Sequence, residues 1–162
     1  MSPRSILTCL LALMLLLCAS SALAQMPNPY GAPISLENAK KAAAAAVAEA
    51  RKNNWTMVVA ITDTAGDLVY LEKMDTAQTG SVNLAIAKAR SAVLYKRPSK
   101  VWADLVGAGG DNLRLMALQG IVPSNGGIPL VMDGKIAGAI GLSGGTGAQD
   151  GQCAQAGADA VK

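Results

Sequence analysis

The sequence predicts an α+β fold in which helices flank an antiparallel sheet. Two pairs of apolar segments are each joined by a short turn, a pattern typical of β-hairpins. Alanine-rich segments with helical spacing precede, separate and follow those pairs. The order helix, hairpin, helices, hairpin, helix favours antiparallel strands, because a parallel sheet would alternate single strands with helices.

Residues 1–24 have the pattern of a secretory signal peptide. Arg4 supplies the positive start, residues 6–17 form a short apolar core, and Ala22-Leu23-Ala24 is a small-residue cleavage signal. The core is shorter than the roughly 20 residues that span a bilayer, so cleavage after Ala24 is favoured over a retained membrane anchor. The sequence therefore predicts a periplasmic or secreted protein without membrane contact after cleavage.

The composition of the mature chain excludes several classes of function. It keeps 13 of the 14 basic residues, because Arg4 is removed, and all 11 acidic residues. That balance gives no reason to expect nucleic acid or anionic lipid as a partner. With no histidine and one cysteine, Cys153, the mature chain has no structural zinc site and no intrachain disulfide. No metal site is predicted, and Cys153 is interpreted as a buried, inert thiol rather than a reactive one.

The mature chain of 138 residues, 162 less the signal peptide, suits one domain spanning 35–162. Residues 25–34 contain three prolines and are predicted to form an extended, mobile lead-in. Ser35 is a good N-cap for a helix with an apolar face that runs to about Lys52.

Residues 55–74 predict the first hairpin. Residues 55–62 are apolar on both faces, as a central strand would be. The turn residues at 63–67 then lead to a second strand at 68–74.

The middle of the chain is predicted to be helical and then irregular. Ser81 is predicted to cap a helix that Pro98 stops, and Ser99 to cap a short helix after it. Residues 107–120 are predicted to form a loop, and Ile121-Val122 to begin a strand.

Residues 126–150 predict strand, tight turn, strand, glycine loop and helix. Asp133-Gly134 lies between two apolar runs and predicts a type I′ turn, because both turn residues need a positive φ. A Ser-Gly-Gly loop follows the second run. Thr146 and Gln149 then have the spacing of a capping box, which predicts the start of a helix.

This stretch resembles the closing signature of the GlcG/HbpS family, which includes the C-terminal domain of PduO. The similar segments are Gly126-Gly127-Ile128-Pro129-Leu130, Asp133-Gly134, Gly138-Ala139-Ile140-Gly141-Leu142-Ser143-Gly144-Gly145 and Gln149-Asp150. Upstream, the similar segments are Asp63-Thr64-Ala65-Gly66, Met74-Asp75 and Ala85-Ile86-Ala87-Lys88-Ala89. The resemblance covers residues 35–161. It implies a profilin-like fold, a homo-oligomer, and haem or another tetrapyrrole as the ligand.

The implied haem site departs from those relatives that bind haem through a histidine, since this chain has none. The remaining axial ligand types are methionine, tyrosine, cysteine and lysine. Candidate axial ligands are Met74, Met116, Met132, Tyr70 and Tyr95. The ligand-binding residues predicted from the resemblance and the motifs are Asp63, Met74, Lys88, Gly126, Gly127, Ser143, Gly144, Gly145, Gln149 and Asp150.

Residues 88–114 carry six basic residues against two acidic ones, which suits an acidic ligand such as a haem propionate. A solvated helix face explains the same charges and remains an alternative.

Other interpretations of the glycine loop also remain open. Its G-x-S-x-G pattern at 141–145 matches a nucleophile elbow, but no histidine is present to act as the base. At a helix N-terminus, the loop can instead bind a small organic acid through its amides, or serve only as a structural turn. An enzyme or accessory protein acting on such an acid would use Asp63, Lys88 and Asp150. A non-catalytic, oligomeric structural protein is the third interpretation.

Overall fold

The computed structural model describes residues 28–162 of the 162-residue chain. The predicted signal peptide and the first residues of the lead-in lie outside the described residues. The elements are α1 (Leu36–Lys52), β1 (Val58–Thr62), β2 (Leu68–Lys73), α2 (Ser81–Leu94), α3 (Lys100–Gly107), a 3-10 helix (Gly110–Ala117), β3 (Gly127–Met132), β4 (Lys135–Ser143) and α4 (Gly147–Asp159).

The four strands form one antiparallel sheet in the order β2-β1-β4-β3. All five residues of the central strand β1 are buried, as a strand covered on both faces requires. The edge strand β3 contains Pro129, which is tolerated there because proline has no N–H to donate. The prediction of an antiparallel α+β fold is confirmed.

Helices cover both faces of the sheet. Val58 and Ala60 of β1 pack with Ala85 of α2 on one face. Val59 and Ile61 of the same strand belong to the core formed with α1 and α4. Alternate residues of β1 therefore pack against α2 on one face and against α1 and α4 on the other, because successive strand side chains point to opposite faces.

Gly141 of β4 shows how closely α2 approaches the sheet. A Cβ atom at this position would overlap the Ala85 carbonyl oxygen and lie 2.6 Å from the Ala89 amide nitrogen. The helix backbone can lie this close only where the strand residue has no side chain.

Three local predictions at the ends of elements are confirmed. Asp133 and Gly134 form the tight turn with φ values of 48° and 73°. The Ser35 hydroxyl accepts a backbone N–H of the first turn of α1 at 3.2 Å. Thr146 and Gln149 form the predicted capping box of α4. Each of these signals depends on residues only a few positions apart.

The predicted cap at Ser81 is wrong, because Gly80 is the N-cap of α2. Ser99 occupies the N-cap of α3 as predicted, but its side chain makes no capping hydrogen bond there. Ser81 is the first residue of α2, and its hydroxyl accepts a hydrogen bond from the Ser143 hydroxyl at 3.0 Å. The Ser99 hydroxyl donates to the Ser124 carbonyl at 2.6 Å and accepts the Gly127 N–H at 2.8 Å. Ser81 therefore links α2 to the end of β4. Ser99 links α3 to the start of β3 and to the segment before it.

The segment between α3 and β3 also differs from the prediction. Residues 110–117 form a 3-10 helix where a loop was expected, and none of them is buried. Without a buried face, the segment has no apolar periodicity that indicates a helix. Ile121-Val122 does not begin a strand, since β3 starts at Gly127.

Residues 29–34 of the lead-in lie against β4, which the sequence pattern did not predict. The amides of Gly31 and Ile34 each donate to a β4 carbonyl at 2.8 Å. The Tyr30 hydroxyl donates to the Val93 carbonyl at the end of α2, also at 2.8 Å. The lead-in thus connects the sheet with a helix terminus.

Replacing Gly141 tests the close packing of α2 on β4. Gly141→Ala is expected to lower the free energy of unfolding by about 3 kcal/mol, because overpacking forces backbone shifts. Urea denaturation measures the change. Gly107→Ala is the matched control, since nothing lies within 4 Å of the added methyl group. Equal stability of the two variants would show that α2 does not depend on a glycine here.

Candidate functional site

The predicted glycine loop lies beside a buried ion pair between Lys88 and Asp150. Lys88 Nζ is 2.6 Å from Asp150 Oδ2, and the two side chains are 1% and 3% exposed. Lys88 lies within α2 and Asp150 in the first turn of α4. The pair therefore joins helices on opposite faces, across the end of the sheet. The predicted site residues that the structure brings together are Lys88, Gly126, Gly127, Gly144, Gly145 and Asp150.

Two glycines beside the ion pair provide the space that it needs. A Cβ atom on Gly126 would lie 2.8 Å from Asp150 Cβ and 3.2 Å from Lys88 Nζ. A Cβ atom on Gly127 would overlap the Lys88 carbonyl oxygen. Gly126 also has a φ of 121°, which residues with side chains rarely adopt. The contacts of these glycines are structural, and their contact with a ligand remains a prediction.

The Asp150 carboxylate also holds the glycine loop. Its Oδ1 accepts the Gly145 N–H at 3.0 Å. Burial raises the pKa of the Asp150 carboxyl, although the Lys88 ammonium and the loop amides favour the charged form. The glycine loop therefore already binds an anion, and that anion belongs to the chain itself.

Three more predicted site residues make structural contacts around the loop. Ser143 is buried, so its hydroxyl is not exposed as that of a nucleophile elbow must be. A Cβ atom on Gly144 would overlap the Thr56 carbonyl oxygen, which indicates close chain packing. Gln149 completes the capping box of α4.

Asp63 lies towards the other end of the sheet. It follows Thr62 of β1, whereas the glycine loop follows Ser143 of β4, and the pairing places these strand ends about 13 Å apart along the sheet. The Asp63 carboxylate accepts two backbone N–H groups of the β1–β2 turn, each at 2.9 Å. Asp63 therefore does not share a site with Lys88 and Asp150.

Met74 lies at the same end of the sheet as the glycine loop, but its sulfur is already engaged. The Met57 N–H group points to Met74 Sδ, with the nitrogen 3.4 Å from the sulfur. Met74 also packs against the core on the α1 side of the sheet. These contacts favour a core role, and its assignment as a haem ligand remains a prediction.

An apolar groove of about 540 Å³ lies beside α2. One wall consists of Ala87, Arg90 and Leu94, and residues 119–122 form the other. Leu94, the last residue of α2, is 43% exposed. Among the described residues, no carboxylate forms an ion pair with Arg90. The groove therefore offers an apolar surface with an available cation.

Sequence reasoning missed this groove because one of its walls is irregular and follows α2 only after an intervening helix. A signal was nevertheless present. Leu84 and Leu94 lie outside the apolar stripe of α2 that packs on the sheet, and both are exposed. Of these two leucines, Leu94 lines the groove.

Residues 28–162 contain no group of three or more His, Cys, Asp or Glu side chains that could hold a metal ion. Within the same range, no helix combines the length and the apolar character needed to cross a membrane. A second cavity, of about 370 Å³, lies between the lead-in, the start of α1 and the β3–β4 turn.

The fold defines a class of small α+β proteins with a four-stranded antiparallel sheet that helices cover on both faces. The chain belongs to the HbpS-like family of haem degrading proteins, whose model matches residues 34–159. The family resemblance of the sequence motifs is confirmed.

Individual relatives agree with this assignment. Protein GlcG of Escherichia coli K12 is 38% identical over 110 residues, which are 68% of this chain and 81% of GlcG. The structure of a double mutant of Streptomyces reticuli HbpS has a TM-score of 0.74 at 31% identity, covering 82% of this chain and 89% of that one. The structure of a PduOC–haem complex has a TM-score of 0.72 at 30% identity, covering 80% and 96%.

Breaking the buried ion pair tests how much it contributes to the free energy of unfolding. Asp150→Asn is expected to lower the free energy of unfolding by about 3–5 kcal/mol, because it leaves the Lys88 ammonium buried without a counter-charge. Asp104→Asn is the control, since it breaks the pair of Asp104 with Lys100, whose side chains are 62% and 57% exposed. Its expected effect is below about 1 kcal/mol. Chemical denaturation of both variants gives the comparison, and similar losses would contradict a special role for the buried pair.

Proposed function

We propose that this protein binds haem or a closely related tetrapyrrole in the groove beside α2. The observation that carries the proposal is the groove itself, an apolar cleft with Arg90 on its wall. Arg90 forms no ion pair with a carboxylate of residues 28–162. Its volume of about 540 Å³ lies within the range of organic-ligand pockets, roughly 300–1,000 Å³. Family membership and the haem complex of the PduOC relative support the same ligand class.

The residues of the groove fit the chemistry of haem. Ala87, Leu94 and Ile121-Val122 offer an apolar surface to the macrocycle. Arg90 can pair with a propionate, because a guanidinium binds carboxylates through two parallel hydrogen bonds. Bound haem would supply a redox-active iron. Since the chain has no histidine, any axial ligand from the protein must come from another residue type.

The glycine loop is the less favoured site for an acidic ligand. Its Gly145 amide already donates to Asp150, whose charge would repel a second carboxylate. A small organic acid would have to displace a buried side chain, whereas the groove requires no such change. The contacts of Asp150 therefore favour tetrapyrrole binding over organic-acid binding.

We also propose that the protein is exported and forms a homo-oligomer. Export rests on the signal-peptide pattern of residues 1–24. Self-association is supported by the exposed apolar side chains of α3 and the segment after it. These side chains are Leu105, Leu113, Met116 and Leu118.

A haem titration tests the ligand. Purified residues 25–162 are expected to give a saturable Soret shift. Leu94→Glu is expected to weaken binding by at least about tenfold, because it places an unpaired carboxylate against the apolar ligand. Leu36→Glu is the matched control, since Leu36 is similarly exposed, at 51%, but lies on α1 away from the groove. The absence of a saturable shift would contradict haem binding. If Leu94→Glu and Leu36→Glu bound haem with equal affinity, the groove would not be the haem site.

Native mass spectrometry of the full-length product tests export and assembly together. We expect the protein from the periplasm or the medium to lack residues 1–24 and to appear as a multiple of the mature chain. An uncleaved chain in the cell interior would contradict export. A monomer at micromolar concentration would contradict oligomer formation.

A further inference from the structure

We propose that Asp63 is a positioning residue for the groove beside α2, because it holds the β1–β2 turn against Arg90, the side chain that can pair with a propionate. The role rests on the proposed haem function and adds a residue that sets the affinity for the carboxylates of the ligand. Asp63 itself does not line the groove. Its influence passes from its carboxylate through the turn to Arg90.

Asp63 fixes the conformation of the β1–β2 turn. Its Oδ1 accepts the N–H groups of Ala65 and Asp67, each at 2.9 Å. The Asp63 N–H donates to the Asp67 carbonyl at 2.9 Å, and its carbonyl accepts the Gly66 N–H at 3.2 Å. Aspartate side chains that bind nearby backbone amides in this way stabilise turns. The side chain and the backbone of Asp63 therefore hold the same few residues in place.

Gly66 brings this turn into contact with the groove. A Cβ atom on Gly66 would lie 3.6 Å from both Cγ and Nε of Arg90, and 3.7 Å from Leu94 Cδ2. These are ordinary van der Waals distances, so the turn packs beside both side chains. Arg90 and Leu94 line the groove. The turn therefore supports the two side chains that we propose to meet a propionate and the macrocycle.

Arg90 gains from this support because its side chain is long and exposed. An exposed arginine loses rotamer freedom when it binds a ligand, which lowers the affinity. Contact with a fixed turn restricts Arg90 before the ligand arrives, and such pre-organisation reduces the entropic cost of binding. The guanidinium also needs a defined orientation to form two parallel hydrogen bonds with a carboxylate. Asp63 therefore raises the affinity for a propionate without touching it.

The test compares the affinities of each variant for haem and for haem dimethyl ester, whose esterified propionates carry no charge. The wild type is expected to prefer haem about fivefold, which is the upper end of what an exposed ion pair contributes. Asp63→Ala removes the acceptor of two turn amides and is expected to reduce the preference to about twofold or less. Asp63→Asn keeps an oxygen acceptor and is expected to retain the wild-type preference. A general loss of folded protein affects both ligands and leaves their ratio unchanged.

Two further variants separate positioning from a general effect on turns. Asp133→Ala strains the turn of the other hairpin, because Asp133 has a φ of 48°, and Asp133 does not line the groove. It is expected to retain the wild-type preference. Arg90→Gln is expected to lose the preference. In the Arg90→Gln background, Asp63→Ala is expected to change nothing more, because Asp63 acts through Arg90.

A measurement on the ligand-free protein tests the positioning directly. The heteronuclear NOE of the Arg90 Nε–H group reports the picosecond-to-nanosecond mobility of the side chain. We expect this NOE to fall in Asp63→Ala and to stay at the wild-type value in Asp63→Asn. An equal NOE in the wild type and Asp63→Ala would overturn the positioning role.

The outcomes distinguish this role from haem binding itself. If the wild type binds haem and Asp63→Ala retains its preference over the ester, the role of Asp63 is overturned while the proposed function stands. Equal losses in Asp63→Ala and Asp63→Asn would indicate an effect of charge and would also overturn positioning through the turn. If the wild type binds neither compound, the proposed function fails, and the NOE alone decides whether Asp63 positions Arg90.

Discussion

The structure at the end of the sheet depends on the ion pair between Lys88 and Asp150. Two opposite charges in a buried setting are costly to desolvate, so they must lie close and be fully hydrogen-bonded. Here a helix from each face contributes one partner at 2.6 Å. Side chains on Gly126 or Gly127 would obstruct that approach. The glycines, the loop and the start of α4 are therefore parts of one arrangement that sets how the two helix layers meet.

This arrangement also bears on where we propose that a ligand binds. The ion pair is internal and its two charges meet each other, whereas the outer side of α2 presents the exposed Leu84 and Leu94 and, beside the groove, Arg90. The surface proposed to bind the ligand therefore lies outside the core. Such a division lets the ligand surface vary without disturbing the core that determines the fold.

The sequence predicted those features that depend on neighbouring residues. Asp133-Gly134 specifies its turn by itself, and Thr146 with Gln149 specifies a helix start. Ser81 and Ser99 were predicted as caps because local rules allow it, yet distant partners take their hydroxyls. The contact of Lys88 with Asp150 joins residues 62 positions apart, and the groove joins α2 to an irregular segment. No local pattern encodes such proximity, since it arises only after the layers pack.

Pro129 on the edge strand has a consequence for how copies of this protein can meet. A free sheet edge can recruit another strand through its unpaired N–H and C=O groups, which is how fibrils begin to grow. Proline removes one of those donors from β3, so this edge cannot extend into a continuous intermolecular sheet at that point. Pro129 therefore makes this edge a poor template for the addition of a further strand.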